Sequence, residues 1–151
     1  MTIAIVVVGP GLIGKKHIAL IRENPDTRLA AIVAPDHAEN HTTAAAQGVP
    51  LFFTLPDCAA AVAMDAVIIS SPNAFHYEQA RWCIERQIPV LIEKPVTPDV
   101  TEARALVELV QQHKARALVG HHRTYSPLLA SAQAVIASGR LGRLVSVVGS
   151  A

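Results

Sequence analysis

Apolar residues in this chain follow two alternating patterns. Short continuous runs of β-branched and aliphatic residues occupy 3–8, 28–33, 49–53, 66–69, 89–92 and 116–119. Between them lie stretches with helical character at 13–23, 39–47, 57–63, 75–86 and 99–113. In the first of these, Ile13, His17, Leu20 and Ile21 fall on one helical face. Continuous apolar strands suit a sheet covered on both faces, and strand–helix alternation implies parallel strands with right-handed crossovers. The expected fold class is α/β, a doubly wound parallel sheet. Local signals agree: Thr97, Pro98 and Asp99 read as an N-cap, a first-turn proline and an acid favoured by the helix dipole.

The pattern changes after Val119. "GHHRTYSP" leads into a helix with Leu128, Ala132, Val135 and Ile136 on one face, stopped at Gly139, and "GRLVSVVGSA" reads as a strand. That strand has no successor here to pair with. The expectation is one domain over 1–122, followed over 123–151 by a connecting helix and the first strand of a truncated α+β domain. The alternative is an edge strand of the same sheet.

Composition narrows the function classes. The chain has 151 residues, 51% hydrophobic and 17% charged, enough for one domain with a real core. A net charge of +1 and an aromatic content of 4% supply neither the basic surface nor the stacking platforms of a nucleic-acid binder. No apolar run approaches the roughly 18 residues of a membrane span, and no secretory signal pattern opens the chain. Cys58 and Cys83 stand in no paired motif. The expected setting is cytoplasmic, with no nucleic-acid or membrane partner.

Candidate chemistry begins at "VVVGPGLIGKKH". Gly9, Gly11 and Gly14 form G-x-G-x-x-G directly after a strand and at the start of a helix, the context of a dinucleotide-binding turn. Gly9 serves the tight turn, Gly11 the approach of phosphates to the backbone, and Gly14 the packing of helix on sheet; a pyrophosphate would sit over the helix N-terminus. The second strand ends at Ala34, and Asp36 is the first acid after it. Asp36 reads either as a ribose ligand or as a solvated turn residue. No arginine follows to receive a 2′-phosphate, and His37 is the sole alternative, so the cofactor is NAD or NADP.

Two later strand ends also face the crevice expected at the carboxyl edge of the sheet. "SPNAFH" supplies Asn73, readable as an N-cap or a ligand, and His76, placed in the first helical turn toward solvent or crevice. "EKP" supplies Lys94, whose amine would point into the crevice with its stem partly covered and exchange a proton with a substrate hydroxyl. By itself, Lys94 also reads as a surface lysine before a turn proline. His121 and His122 have no partner at ligand spacing, so no metal is expected.

In order and spacing, "GPGLIGKKH", "SPNAFH", "EKP" and "GHHRTYSP" resemble the Gfo/Idh/MocA oxidoreductases, NAD(P)-dependent dehydrogenases mostly of sugars, polyols and related hydroxy compounds. The resemblance implies a Rossmann fold in which Gly9, Gly11 and Gly14, with the Leu12 and Ile13 backbone, hold the pyrophosphate. Ala34 stands beside the ribose, and Asp36 stays open between ribose ligand and turn residue. Ser71, Pro72, Asn73 and His76 line the cofactor, and His17 matches a family histidine. Glu93 and Lys94 match a motif whose lysine lies near nicotinamide and substrate and is the catalytic proton carrier; Glu93 joins the cofactor lining. Arg123, with Tyr125 and Pro127, matches the entry to the substrate domain, where Thr124 replaces a frequent aromatic, and Arg123 is a substrate candidate. Ala34 departs from the usual ribose-binding acid. The family's second half, which supplies an open sheet, the oligomer interface and a catalytic Asp and His, has no counterpart in these residues. The implied function is the NAD(P)-binding portion of a dehydrogenase, a homo-oligomer at full length, with this chain alone inactive. Alternatives are a non-catalytic NAD(P)-sensing regulatory protein, or an imine or biliverdin-type reductase on the same scaffold.

Overall fold

A computed structural model describes residues 2–148. Every adjacent strand pair in its sheet is parallel: β1 (Ile3–Val8), β2 (Thr27–Val33), β3 (Leu51–Phe52), β4 (Ala66–Ile69), β5 (Val90–Ile92) and β6 (Ala117–Val119), in spatial order β3-β2-β1-β4-β5-β6. The doubly wound sheet expected from the apolar pattern is thus present. Its strand order reverses between β1 and β4, which opens a crevice at their carboxyl ends.

Helices α1 (Leu12–Glu23) and α2 (Ala38–Gln47) cover one face of the sheet, packing Ile18, Ile21 and Ala44 on Val7, Leu29 and Ile32. On the other face, α3 (Leu55–Ala61), α4 (His76–Glu85) and α5 (Val100–His113) bury Leu55, Cys58, Ala80, Cys83, Ile84 and Leu106 against Val6, Val8, Val67 and Ile69. Both faces of β1 are therefore dry, which explains why its sequence does not alternate.

Details of three helices differ from expectation. The buried line of α1 runs through Gly14, Ile18 and Ile21, while Ile13 and Leu20 are exposed. Close packing at Gly14 rotates that glycine toward the sheet and turns the two outer aliphatics away. Helix α5 is capped by Asp99 itself, whose carboxylate accepts from the Thr101 and Glu102 N–H groups at 2.7 and 3.1 Å. Thr97 instead spends its hydroxyl on Asp99 O at 2.6 Å, so the cap lies two residues later than predicted. Helix α3 begins after Thr54, whose hydroxyl accepts from the Asp57 N–H and which has Pro56 in the first turn, an N-terminus that sequence reading placed too late.

The chain divides into two units, Met1–Gly120 and His121–Ala151. The second, taken by itself, contains a short 3₁₀ turn (His122–Tyr125) and helix α6 (Pro127–Ala137), all of whose residues are exposed. The strand expected over 142–151 is not formed over 142–148, and Gly149–Ala151 lie outside the described residues. A strand is made by hydrogen bonds to a neighbour, and no described residue pairs with this segment. No helix among the described residues is long and apolar enough to cross a membrane.

Candidate functional site

At the end of β1 the backbone turns at Gly9 with φ +82°, a left-handed value suited to glycine. A Cβ there would lie 2.6 Å from the Ser71 backbone, so the turn passes β4 at a distance that excludes any side chain. Gly14 is equally constrained, because a Cβ would strike the Gly9 carbonyl and stand 2.8 Å from Ser70 Oγ. Gly11 is different: open space surrounds its missing Cβ. It is also the N-cap of α1, and no side chain caps that helix. The first-turn N–H groups of a helix have no intrahelical acceptor, and here they carry the positive end of the dipole into that open space. The three glycines therefore do two jobs. Two hold the turn against the sheet, and one leaves room in front of the amides.

Beside this turn lies a cavity of about 250 Å³ walled by Gly9, Ala34, Pro35, Phe53, Ser71, Pro72 and Phe75. Phe53 and Phe75 are exposed aromatics on its rim, and neither was named by sequence reasoning. Their signal was position alone, each at the carboxyl side of a strand. A larger cavity of about 480 Å³ between α3 and α4 shares Val33, Phe53 and Gln79 with it and is lined by Trp82, the chain's single tryptophan. No glycine lines it, whereas the smaller cavity reaches Gly9 of the turn.

The end of the cavity beside β2 is apolar at its base. Ala34 is buried and its N–H donates to Phe52 O at 2.9 Å. Asp36 stands outside the cavity lining, exposed, with its carboxylate 2.7 Å from His41 Nε2. His37 serves as the N-cap residue of α2 without a side-chain bond.

Across the crevice, Ser70 Oγ lies 3.0 Å from Val8 O and 2.8 Å from Gly9 O, so a residue that sequence reading passed over pins the glycine turn to β4. Ser71 donates to Gln79 Oε1 at 2.6 Å. Asn73 does not cap α4; it opens a 3₁₀ turn (Asn73–Phe75), with the Phe75 N–H donating to Pro72 O. Pro72, held extended, leads the chain through that tight turn before the helix starts at His76. His76 faces neither solvent nor crevice. It is 1% exposed, with Nδ1 3.0 Å from Pro95 O and Nε2 2.8 Å from Ser71 O. Each ring nitrogen faces a backbone carbonyl oxygen, and the ring joins the two loops.

Glu93 follows β5, its Oε1 2.8 Å from His17 Nε2 and its Oε2 accepting from the Lys94 N–H at 3.2 Å. The Lys94–Pro95 peptide is cis. The Lys94 side chain is exposed, not partly covered as expected. Arg123 and Tyr125 are exposed residues of the second unit. Burial alone pushes the Cys58 thiol up to about 11, and burial, opposed by Arg86, pushes Cys83 to about 12, leaving both without thiolate chemistry near neutrality. Among the described residues no group of three or more His, Cys, Asp or Glu is placed to hold a metal.

A parallel sheet with an uncapped helix end, a bare glycine before it and a cavity at the switch point defines a dinucleotide-binding Rossmann domain. Residues 3–121 match the Gfo/Idh/MocA family model, described as an oxidoreductase family with an NAD-binding Rossmann fold, and the chain belongs to that family. It is 35% identical over 146 residues to an inositol 2-dehydrogenase of Corynebacterium glutamicum, spanning 95% of this chain and 43% of that protein. The scyllo-inositol dehydrogenase of Lactobacillus casei, solved with NAD(H) and scyllo-inositol, superposes with a TM-score of 0.85 at 27% identity, over 94% of this chain and 43% of that one. The WlbA dehydrogenase of Bordetella pertussis, solved with NADH and UDP-GlcNAcA, gives 0.86 at 27% identity, over 95% and 44%. The chain thus spans less than half the length of these relatives.

Proposed function

We propose that this chain is the coenzyme-binding part of an NAD(P)-dependent dehydrogenase acting on a sugar, polyol or related hydroxy compound. The observation that carries this reading is the open space in front of Gly11 at an uncapped helix terminus. The α1 amides would receive a pyrophosphate there, and the cavity between Ala34, Phe53 and Phe75 has the apolar walls an adenosine needs. Bound in this crevice, nicotinamide supplies the hydride acceptor or donor. Lys94, at the end of β5 and free of a protein partner among the described residues, would as a neutral amine take the hydroxyl proton while the carbinol carbon gives up its hydride, and would return the proton in reverse. Ser71 and Pro72 wall the crevice, and Arg123 is assigned to the substrate. A homo-oligomer in the cytoplasm suits the family resemblance and the two buried, unpaired thiols.

The test is separate titration of NAD and NADP into the chain, by calorimetry and by Trp82 emission. The two coenzymes differ at the ribose 2′ position, where β2 ends in Ala34 and the first acid after it, Asp36, is engaged by His41. Saturable binding of either coenzyme supports the reading, and heat and emission changes absent for both would remove it.

A further inference from the structure

Glu93 occupies a place that a cofactor ligand does not require. Its carboxylate is 12% exposed, and the His17 ring that meets it is 18% exposed, so both groups have given up most of their water for one another. The carboxylate also rests on Gly120, where a Cβ would lie 2.9 Å from Oε1 and 3.2 Å from Oε2. Gly120 has no left-handed φ, so space for the Glu93 head is the reason a glycine fits there. The second oxygen accepts from the Lys94 N–H, and the residue beyond, Pro95, is held through its carbonyl by buried His76. Lys94 therefore stands between two anchored neighbours while its own side chain is free.

His17 lies on α1, the helix whose N-terminus faces the open space at Gly11. The path from that helix end to Lys94 is short and continuous: α1, His17, the Glu93 carboxylate, the Lys94 amide. We propose that Glu93 and His17 are positioning residues that couple occupancy of the glycine turn to the placement of Lys94, and that Glu93 is not itself a coenzyme ligand. This rests on the dinucleotide-binding reading above. A pair that only tied α1 to the sheet would affect stability and leave Lys94 indifferent to what binds at the turn.

The experiment labels the intact chain with trace acetic anhydride and quantifies each of its lysines by mass spectrometry, with and without NAD at a concentration saturating each variant. In the wild type, NAD slows acetylation of Lys94 at least about fivefold, the lower end of ordinary site-to-site coupling. Glu93→Ala and His17→Ala reduce that protection to less than about twofold, while Lys114 labels as before. His17→Gln, which still places a donor toward Glu93, restores protection, a rescue that a loss of general stability does not produce. Protection of Lys94 that survives both alanine variants overturns the proposal and leaves the dinucleotide reading intact. If Glu93→Ala does not fold, the two His17 variants decide by the same criteria. If only NADP binds, it takes the place of NAD in the labelling; absence of binding of both coenzymes by the wild type overturns the dinucleotide reading and this proposal together.

Discussion

The glycine turn after β1 and the Glu93–Lys94–Pro95 loop after β5 both sit at the carboxyl edge of one sheet, yet they are built in opposite ways. The first is shaped by missing atoms. Gly9 and Gly14 let backbone pass backbone, and Gly11 leaves a helix end bare. The second is shaped by side chains from distant parts of the chain, His17 on α1 and His76 on α4, which bond to Glu93 and to Pro95 O. A helix end left uncapped needs emptiness before it, whereas a loop of side-chain contacts is held by bracing. Loops on one edge of a sheet can thus fail for different reasons.

The largest expected effect separates the glycines themselves. Gly14→Ala forces a Cβ onto the Gly9 carbonyl, so it should cost at least about 3 kcal/mol of stability, read by urea unfolding. Gly11→Ala meets open space and should leave the urea midpoint nearly unchanged while weakening NAD binding about tenfold, or about 1.4 kcal/mol. Equal stability losses for the two would mean that the division of labour among these glycines is wrong.

His76→Ala probes the braced loop. It removes a fully buried ring and strands the Ser71 and Pro95 carbonyls, an expected loss of about 2–4 kcal/mol with an unchanged denaturant slope. Retention of wild-type stability would show that the ring is not what joins the two loops.

The smallest effect lies away from the crevice. Two backbone N–H groups, of Glu102 and Thr101, hold the Asp99 carboxyl below its ordinary range. A depressed folded value means the stabilisation is present above the unfolded value and is lost as pH falls through the folded one. Asp99→Ala should therefore lower the melting midpoint by about 3 °C at neutral pH, with the difference from wild type vanishing in acid. A difference that grows in acid would contradict the cap.

Much of the glycine turn could be read from spacing because its determinants are local. A turn, a helix start and a bare N-terminus all fall within Gly9–Gly14, and the strand before them announces the context. The braced loop was legible only as a resemblance. Nothing in "EKP" names His17, 76 residues away, as a partner; Ser71 lies within "SPNAFH" itself, but nothing there shows that His76 also turns inward to Pro95, 19 residues on. The rotation of α1 escaped for a related reason: apolar spacing allowed Ile13 a buried place, and only the close approach at Gly14 took it away.

By itself, then, the sequence determined the fold class, the order of strands and helices, and the glycine turn, because runs of apolar residues and missing side chains act within a few residues of themselves. Tertiary structure alone decided where His17 and His76 point, and what surrounds Lys94. Those outcomes depend on hydrogen bonds between residues far apart in the chain, and folding is what brings them within reach.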